Sequence, residues 1–444
     1  MQQPQIHHLL WPAPDEQTHI CHARAGFRAP PHAREAMTAA HEDQRPASPP
    51  NHARATRWVR AGWLIDGQGG PPRRNMGLAL RAGRIVRIGP DCPEAAGGVD
   101  LSHATVLPAL IDAHVHLVFS GSLDPQVRAA QLRHTPQQSQ AAILRHLQEH
   151  RRCGVLAVRD GGDHRGDVRR FQQAHPGKAD QPVHLCAACA AWYAAGRYGA
   201  MIGQSPPQGV SPAQAVAAHM EGGDHIKLIQ SGLNSLDRFG HQGPAQFNAQ
   251  ELRAMVQAAH AAQRAVMVHA NGEHAARTAI VAGCDSIEHG YFMGAENLRR
   301  MADRGTSWVP TAVPMAALTE APGLSGKQQD VARRTLDHQL EQIRQAHTMG
   351  VNIVLGTDAG SQGVNHGHAV QQELCLLVNA GLGLAQAIGC ATCSAAKLLR
   401  LPDRGALTPG RRADFIAVQG PPDNLPESLS EIEAICIGGT WESR

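Results

Sequence analysis

Between residues 107 and 404 the chain alternates short apolar runs with longer stretches whose apolar positions recur at helical spacing. Short apolar runs closed by Gly, Pro or a charged residue read as strands buried on both faces. Such strands are expected at Ala109–His114, Gly154–Arg159, Val183–Ala187, Asp224–Ile229, Ala265–His269, Asp285–Glu288, Ser307–Pro310 and Val351–Gly356. The intervening segments predict helices, among them Pro125–Arg152, Ala249–Gln263, Ala275–Ala282 and Gln328–Met349. Strands that alternate with helices predict a parallel α/β fold, and eight of them suggest a TIM-type (β/α)8 barrel.

On either side of this region the pattern changes. Trp58-Val-Arg-Ala-Gly-Trp-Leu-Ile, Met76 to Leu80 and Arg84-Ile-Val-Arg-Ile-Gly are strand-like, with Gly67-Gln-Gly-Gly as a turn. Residues 405–444 continue in the same style, with Asp414-Phe-Ile-Ala-Val and Ile435-Cys-Ile-Gly-Gly-Thr-Trp. Residues 57–106 and 405–444 are therefore expected to form one small β-sandwich subdomain beside the barrel of 107–404. Residues 1–56 keep neither period and are rich in Pro, His, Ala and Gln, which predicts a disordered extension. Their histidines, His7, His8, His19 and His22, read as a solvated tail, and Pro12 and Pro14 interrupt any apolar core of a secretion signal.

Composition narrows the function. The chain has 444 residues, 41 basic and 38 acidic, for a net charge of +3. That balance offers no single-sign field for nucleic acid or an anionic membrane, and 4% aromatic residues leave few surfaces on which bases could stack. No apolar run approaches the ~20 residues of a bilayer-crossing helix. A cytoplasmic protein acting on a small molecule is expected. The ten cysteines are scattered; Cys186/Cys189 and Cys390/Cys393 have zinc-site spacing, but their Ala-rich surroundings favour small buried hydrophobes.

Candidate chemistry begins with His114 and His116. Residues i and i+2 of a strand share a face, so His-x-His at a strand end aims two imidazoles at one point, as a metal site requires. A solvated strand end is the plain alternative. Catalytic groups of a barrel come from the carboxyl ends of several strands. Those ends carry Lys227, His269, His289 and Asp358. Singly these read as a surface amine, a satisfied core histidine, a further histidine and a helix cap; together with the histidine pair they point to a metal centre. Lys227, in Asp224-His-Ile-Lys-Leu-Ile, is buried in a strand, where desolvation lowers an amine's pKa. Its neutral amine could take up carbon dioxide, and the resulting N6-carboxylysine would be an oxygen-donor anion able to bridge two metals.

These segments resemble the amidohydrolase superfamily of metal-dependent hydrolases. The matching stretches are Pro108-Ala-Leu-Ile-Asp-Ala-His-Val-His-Leu, Ile226-Lys-Leu, Val268-His-Ala-Asn-Gly, Asp285-Ser-Ile-Glu-His-Gly, Leu355-Gly-Thr-Asp-Ala-Gly and Gly405-Ala-Leu-Thr-Pro-Gly-Arg-Arg-Ala-Asp-Phe. Within the superfamily the chain is most similar to the prolidase-like and imidazolonepropionase-like branch. The resemblance implies two divalent metal ions, zinc before manganese or cobalt. His114, His116 and Asp358 would bind one, His269 and His289 the other, with carboxylated Lys227 across both. It implies hydrolysis of an amide or peptide-type C–N bond, as in a dipeptide or N-acyl amino acid, by a metal-bridging hydroxide, with Asp358 moving the proton. It also allows a homo-oligomer.

Substrate contacts are sought on the loops at the same rim: Arg197 and Tyr198 as a clamp for a carboxylate, then Asn234, His241, Tyr291 and His366. A mononuclear zinc deaminase of the same superfamily is the nearest rival, with Glu273 as its candidate proton shuttle. Cyclic amide or lactone hydrolysis, carbamate hydrolysis and a non-catalytic scaffold remain as alternatives, and the substrate is not legible from the residues.

Overall fold

A computed structural model of the chain describes residues 56–90, 98–175 and 183–443. The expected extension at 1–56, with its histidines, lies outside these residues apart from Thr56.

Both chain ends contribute to one seven-stranded sheet. Its strands are β1 (Arg57–Leu64), β2 (Arg73–Arg81), β3 (Arg84–Gly89) and β4 (Val99–Pro108) from the first end, with β13 (Phe415–Gln419), β14 (Ile432–Ile437) and β15 (Thr440–Ser443) from the second, after the central strands β5 to β12. The order is β15-β14-β13-β4-β1-β2-β3. Only β1 and β4 run parallel; the other neighbours are antiparallel. Leu64, Leu78, Ile85, Val106 and Phe415 form an apolar cluster within this sheet. Strands from both chain ends share one hydrogen-bonded sheet, in which β4 pairs with both β1 and β13, and no second layer of the expected sandwich is paired separately among the described residues.

The central strands are all parallel. Three of them, β5 (Leu110–Val115), β6 (Val155–Asp160) and β7 (His184–Cys186), form one sheet. Five more form a second sheet: β8 (Ala188–Trp192), β9 (His225–Ile229), β10 (Ala265–Gly272), β11 (Ser286–Phe292) and β12 (Ser307–Val309). Every residue of β5, β9, β10 and β11 is buried, as strands covered on both faces must be.

Three local expectations change. The predicted third strand continues past Ala187 into two pieces, one in each sheet. The predicted strand Val351–Gly356 is not a regular strand: Trp308 pairs with Ile353 and Val115 with Ala359 only as isolated parallel bridges. Backbone bonds nonetheless tie this segment to both sheets, with Val354 N donating to Trp308 O at 2.8 Å and Ala113 N to Leu355 O at 3.0 Å. Finally, Pro125–Arg152 is two helices, Pro125–Leu132 and Pro136–Arg152. The Pro136 ring holds Thr135 extended, and Thr135 and Gln138 close a capping box that starts the second helix afresh.

Capping boxes also start the helices Ala249–Ala261 (Asn248 with Glu251) and Gly326–Thr348 (Ser325 with Gln328). No helix among the described residues is long and apolar enough to cross a membrane.

Candidate metal centre

Because side chains alternate along a strand, His114 and His116 leave the end of β5 on one face. Glycines make room for them: a Cβ on Gly161 would lie 2.6 Å from the His116 ring, and one on Gly356 would lie 2.9 Å from His114 Cβ. Asp358 reaches the same point from the segment bridging β12 and β5. Its amide donates to His114 O at 2.7 Å, and His116 N donates to Ala359 O at 2.7 Å. Asp358, His289 and Thr311 have φ of 57°, 65° and 48°. This left-handed region costs a non-glycine residue about 1–3 kcal/mol and persists only where surrounding bonds hold it.

The hydrogen-bond partners settle where each ring carries its proton. His114 Nδ1 lies 2.8 Å from Glu288 Oε2 and so donates to it, leaving Nε2 as a lone pair. His116 Nδ1 donates to Gly162 O at 3.2 Å, leaving its Nε2 likewise. Both lone pairs face Asp358 Oδ1, at 3.5 and 3.4 Å. Burial holds His114 neutral, well below the usual imidazole range, and brings His116 down to about 3. His114 Nε2 is buried and has no hydrogen-bond partner. Three electron-rich atoms that converge in a buried site, with no proton between them, fit a cation. The ligand atoms of His114, His116 and Asp358 lie within 4.8 Å of one another.

His269 and His289 stand beside this trio. The His289 ring centroid is 4.9 Å from that of His114 and 4.6 Å from that of His269. Thr311 Oγ1 lies 2.7 Å from His289 Nδ1, which turns Nε2 away from Thr311. On His269, Nε2 faces Gly232 O and the Asn271 amide, each at 3.2 Å, so Nδ1 is the nitrogen left for a cation. Lys227 is 1% exposed. Burial lowers its amine to about 8, against the opposing pull of Glu288 and Asp358. Burial also raises Asp358 to about 6, while the Ser361 hydroxyl, which donates to Oδ2 at 2.8 Å, pulls it down.

These groups open into a cleft that His116, Lys227, His269, His289 and Asp358 help to line. Of the expected substrate contacts, Tyr198, Asn234 and Tyr291 line it too. Arg197 and His241 are exposed and are not among its lining residues, and His241 pairs with Arg238. The expected clamp of Arg197 with Tyr198 is therefore not assembled: Arg197 sits in an exposed turn, its amide bonded to Ala194 O at 2.9 Å. His366 is buried outside the cleft, where Nε2 donates to Phe119 O at 2.7 Å and the ring stacks on His146 with centroids 4.1 Å apart. Glu273, the rival shuttle, is exposed and not among the lining residues either.

Sequence reasoning passed over Glu288, Asn271, Ser361 and Gln362. Glu288 and Asn271 stand inside the quoted motifs, next to or two residues from a histidine, so their positions were the available signal. Ser361 and Gln362 belong to a turn with no pattern of its own. The cysteine pairs gather no cluster: Cys186, Cys189 and Cys390 are buried and unbridged, and Cys393 is exposed.

Known proteins place this geometry. The amidohydrolase family model matches residues 105–440. Ochratoxinase of Aspergillus niger is 25% identical over 398 residues, 82% of this chain and 81% of that protein. Imidazolonepropionase of Salinispora arenicola is 25% identical over 379 residues, 79% of this chain and 87% of its own. A crystal structure of a Xaa-Pro dipeptidase with methionine bound in its active site superposes with a TM-score of 0.73 at 27% identity, covering 88% of this chain and all of the other. With the family model spanning both the central sheets and the second-end strands, and with His114, His116 and Asp358 converging inside that span, the chain belongs to the amidohydrolase family.

Proposed function

We propose that this protein hydrolyses a C–N bond of a small amide at a centre of two divalent metal ions, zinc by first choice. In this reading the two parallel sheets and residues 351–359 act as one (β/α)8 barrel over 107–404, and residues 57–106 and 405–444 as its β-subdomain. The observation that carries it is the convergence of His114 Nε2, His116 Nε2 and Asp358 Oδ1 in a buried site beside the cleft, each without a proton to share.

His114, His116 and Asp358 would hold one ion, His269 and His289 the second, and Lys227, as its carbamate, both. Bound there, the ions supply a nucleophilic water at neutral pH and draw electron density from the scissile carbonyl. The protein's own groups do the rest. Glu288 and the Gly162 carbonyl keep His114 and His116 in the tautomers that turn Nε2 inward. Asp358, oriented by Ser361, takes the proton of the attacking water on its carboxylate and delivers it to the leaving nitrogen. Uptake of carbon dioxide by Lys227 needs an unprotonated amine, which its burial favours.

The deaminase alternative loses ground because Glu273 is outside the cleft lining. Metal content per chain, together with release of amine from an N-acyl amine panel, tests the proposal. Two metals, amine release, and loss of at least one metal in Lys227→Ala support it. One metal, with ammonia released from an aminated ring, points to deamination, and a Lys227→Ala variant that keeps two metals removes the carbamate from the mechanism.

A further inference from the structure

The cleft is chemically divided. Five of its lining residues, His116, His269, His289, Lys227 and Asp358, belong to the candidate metal centre; the others include no arginine, no second lysine and no second carboxylate. Of the other lining residues, Ile202, Leu233, Leu236, Pro314, Met315 and Leu318 are apolar, and Tyr198, Asn234, Asn271, Tyr291, Ser361 and Gln362 are polar but uncharged. Leu236, Met315 and Leu318 are 5%, 6% and 5% exposed, and with Tyr291 and Phe292 they form an apolar cluster separate from the main core. That cluster is built from the loop after β9, the end of β11 and the short helix Val313–Leu318, so the wall is part of the fold. The polar atoms that remain are neutral. Asn234 Nδ2 points at Met315 Sδ, 3.8 Å away, and the Tyr198 ring tilts against His269 with centroids 5.7 Å apart. Arg128, whose charge acts on Tyr198 and Asp358, is buried, is not among the lining residues, and donates Nη1 to the carbonyls of Ser120 and Gly360.

From this we infer the substrate class: the group that the cleft holds beside the scissile amide is uncharged and apolar, so a neutral carboxamide or anilide binds in preference to its carboxylate-bearing counterpart. The inference rests on the hydrolytic reading above and narrows it away from dipeptides and N-acyl amino acids bound through a free carboxylate. An ionised carboxylate carried into this wall loses its water and gains no cation there, whereas an alkyl or aryl group of the same size gains contact with Leu236, Met315 and Leu318.

Matched pairs test it on both sides of the amide with zinc-loaded protein. Butyranilide against succinanilic acid varies the acyl side, and 4-methylacetanilide against 4-carboxyacetanilide varies the amine side. Binding is measured by calorimetry and, separately, turnover by released aniline. The expected result is about tenfold or greater tighter binding of the neutral member in both pairs, a preference that Leu236→Lys or Met315→Lys narrows or reverses while a thermal melt confirms folding. Equal or tighter binding of either carboxylate to the unaltered protein overturns the inference, as does failure of both neutral anilides to bind. Neutral anilides that bind in the expected order and release no aniline leave the preference standing and remove the hydrolytic reading instead.

Discussion

Glu288 Oε2 lies 2.8 Å from His114 Nδ1, with both side chains fully buried. The same carboxylate receives Arg159 Nη2 on Oε1 at 2.9 Å, and Ser286 donates its hydroxyl there as well. Arg159 in turn donates Nε to Ala113 O at 2.7 Å, one residue from His114. A strand residue of β11 thus sets the tautomer of a histidine on β5, and an arginine of β6 pairs with that same carboxylate. This is the outer partner a metal-binding imidazole needs.

Glu288→Gln retains the shape and removes the charge. Metal affinity, read by competition with a chromophoric chelator, is expected to fall about 10- to 100-fold. Arg159 loses its buried partner, so chemical denaturation should show a loss on the order of 3 kcal/mol. Unchanged metal affinity would show that His114 does not depend on this carboxylate.

Asp358→Asn removes both the charge that His114 and His116 face and the proposed proton carrier. Turnover should fall by about 10²- to 10⁴-fold, with a melting temperature close to that of the parent. A variant that keeps parental turnover refutes the proton-transfer role.

Glu373 is fully buried on the helix His368–Asn379, and its two carboxylate oxygens accept the amides of Ala312 and Val313, each at 2.9 Å. Those amides begin the helix Val313–Leu318, directly after the Thr311 hydroxyl that holds His289. Glu373→Ala leaves two buried donors unmet, at about 1–3 kcal/mol each in unfolding experiments. Glu373→Gln keeps one acceptor and should lose less; equal losses would mean that the amides are not what Glu373 serves.

His366→Leu separates structure from substrate contact. Its ring bonds to Phe119 O, pairs with His150 Nε2 at 3.2 Å and stacks on His146, and it is not among the residues that line the cleft. Stability should drop by about 1–3 kcal/mol, while KM for the preferred amide stays as it was. A raised KM with unaltered stability would return His366 to the substrate.

Local pattern carries local information, and the chain shows how far that reaches. Burial on both faces is written into the strands as short, mainly apolar runs, so most of the parallel strands were legible, whereas side-chain caps start only some of the helices, Pro136–Arg152 and Ala249–Ala261 among them. Thr135 and Pro136 carried a break that helical spacing alone hides, because spacing records which face is apolar and not whether the backbone continues. The strand ends also exposed His114, His116, Lys227, His269, His289 and Asp358 as one group of candidates, since alternation and strand direction determine where an end points. The rest was decided by the tertiary structure. Loop residues have no period, so nothing in the sequence separates Tyr198, which lines the cleft, from its neighbour Arg197, which is exposed in a turn. The pairing of Glu288 with His114 spans 174 positions and exists only once β5, β6 and β11 are brought together. The uncharged wall of Leu236, Met315 and Leu318 is likewise a sum over distant segments, each of which, read alone, is an ordinary apolar residue.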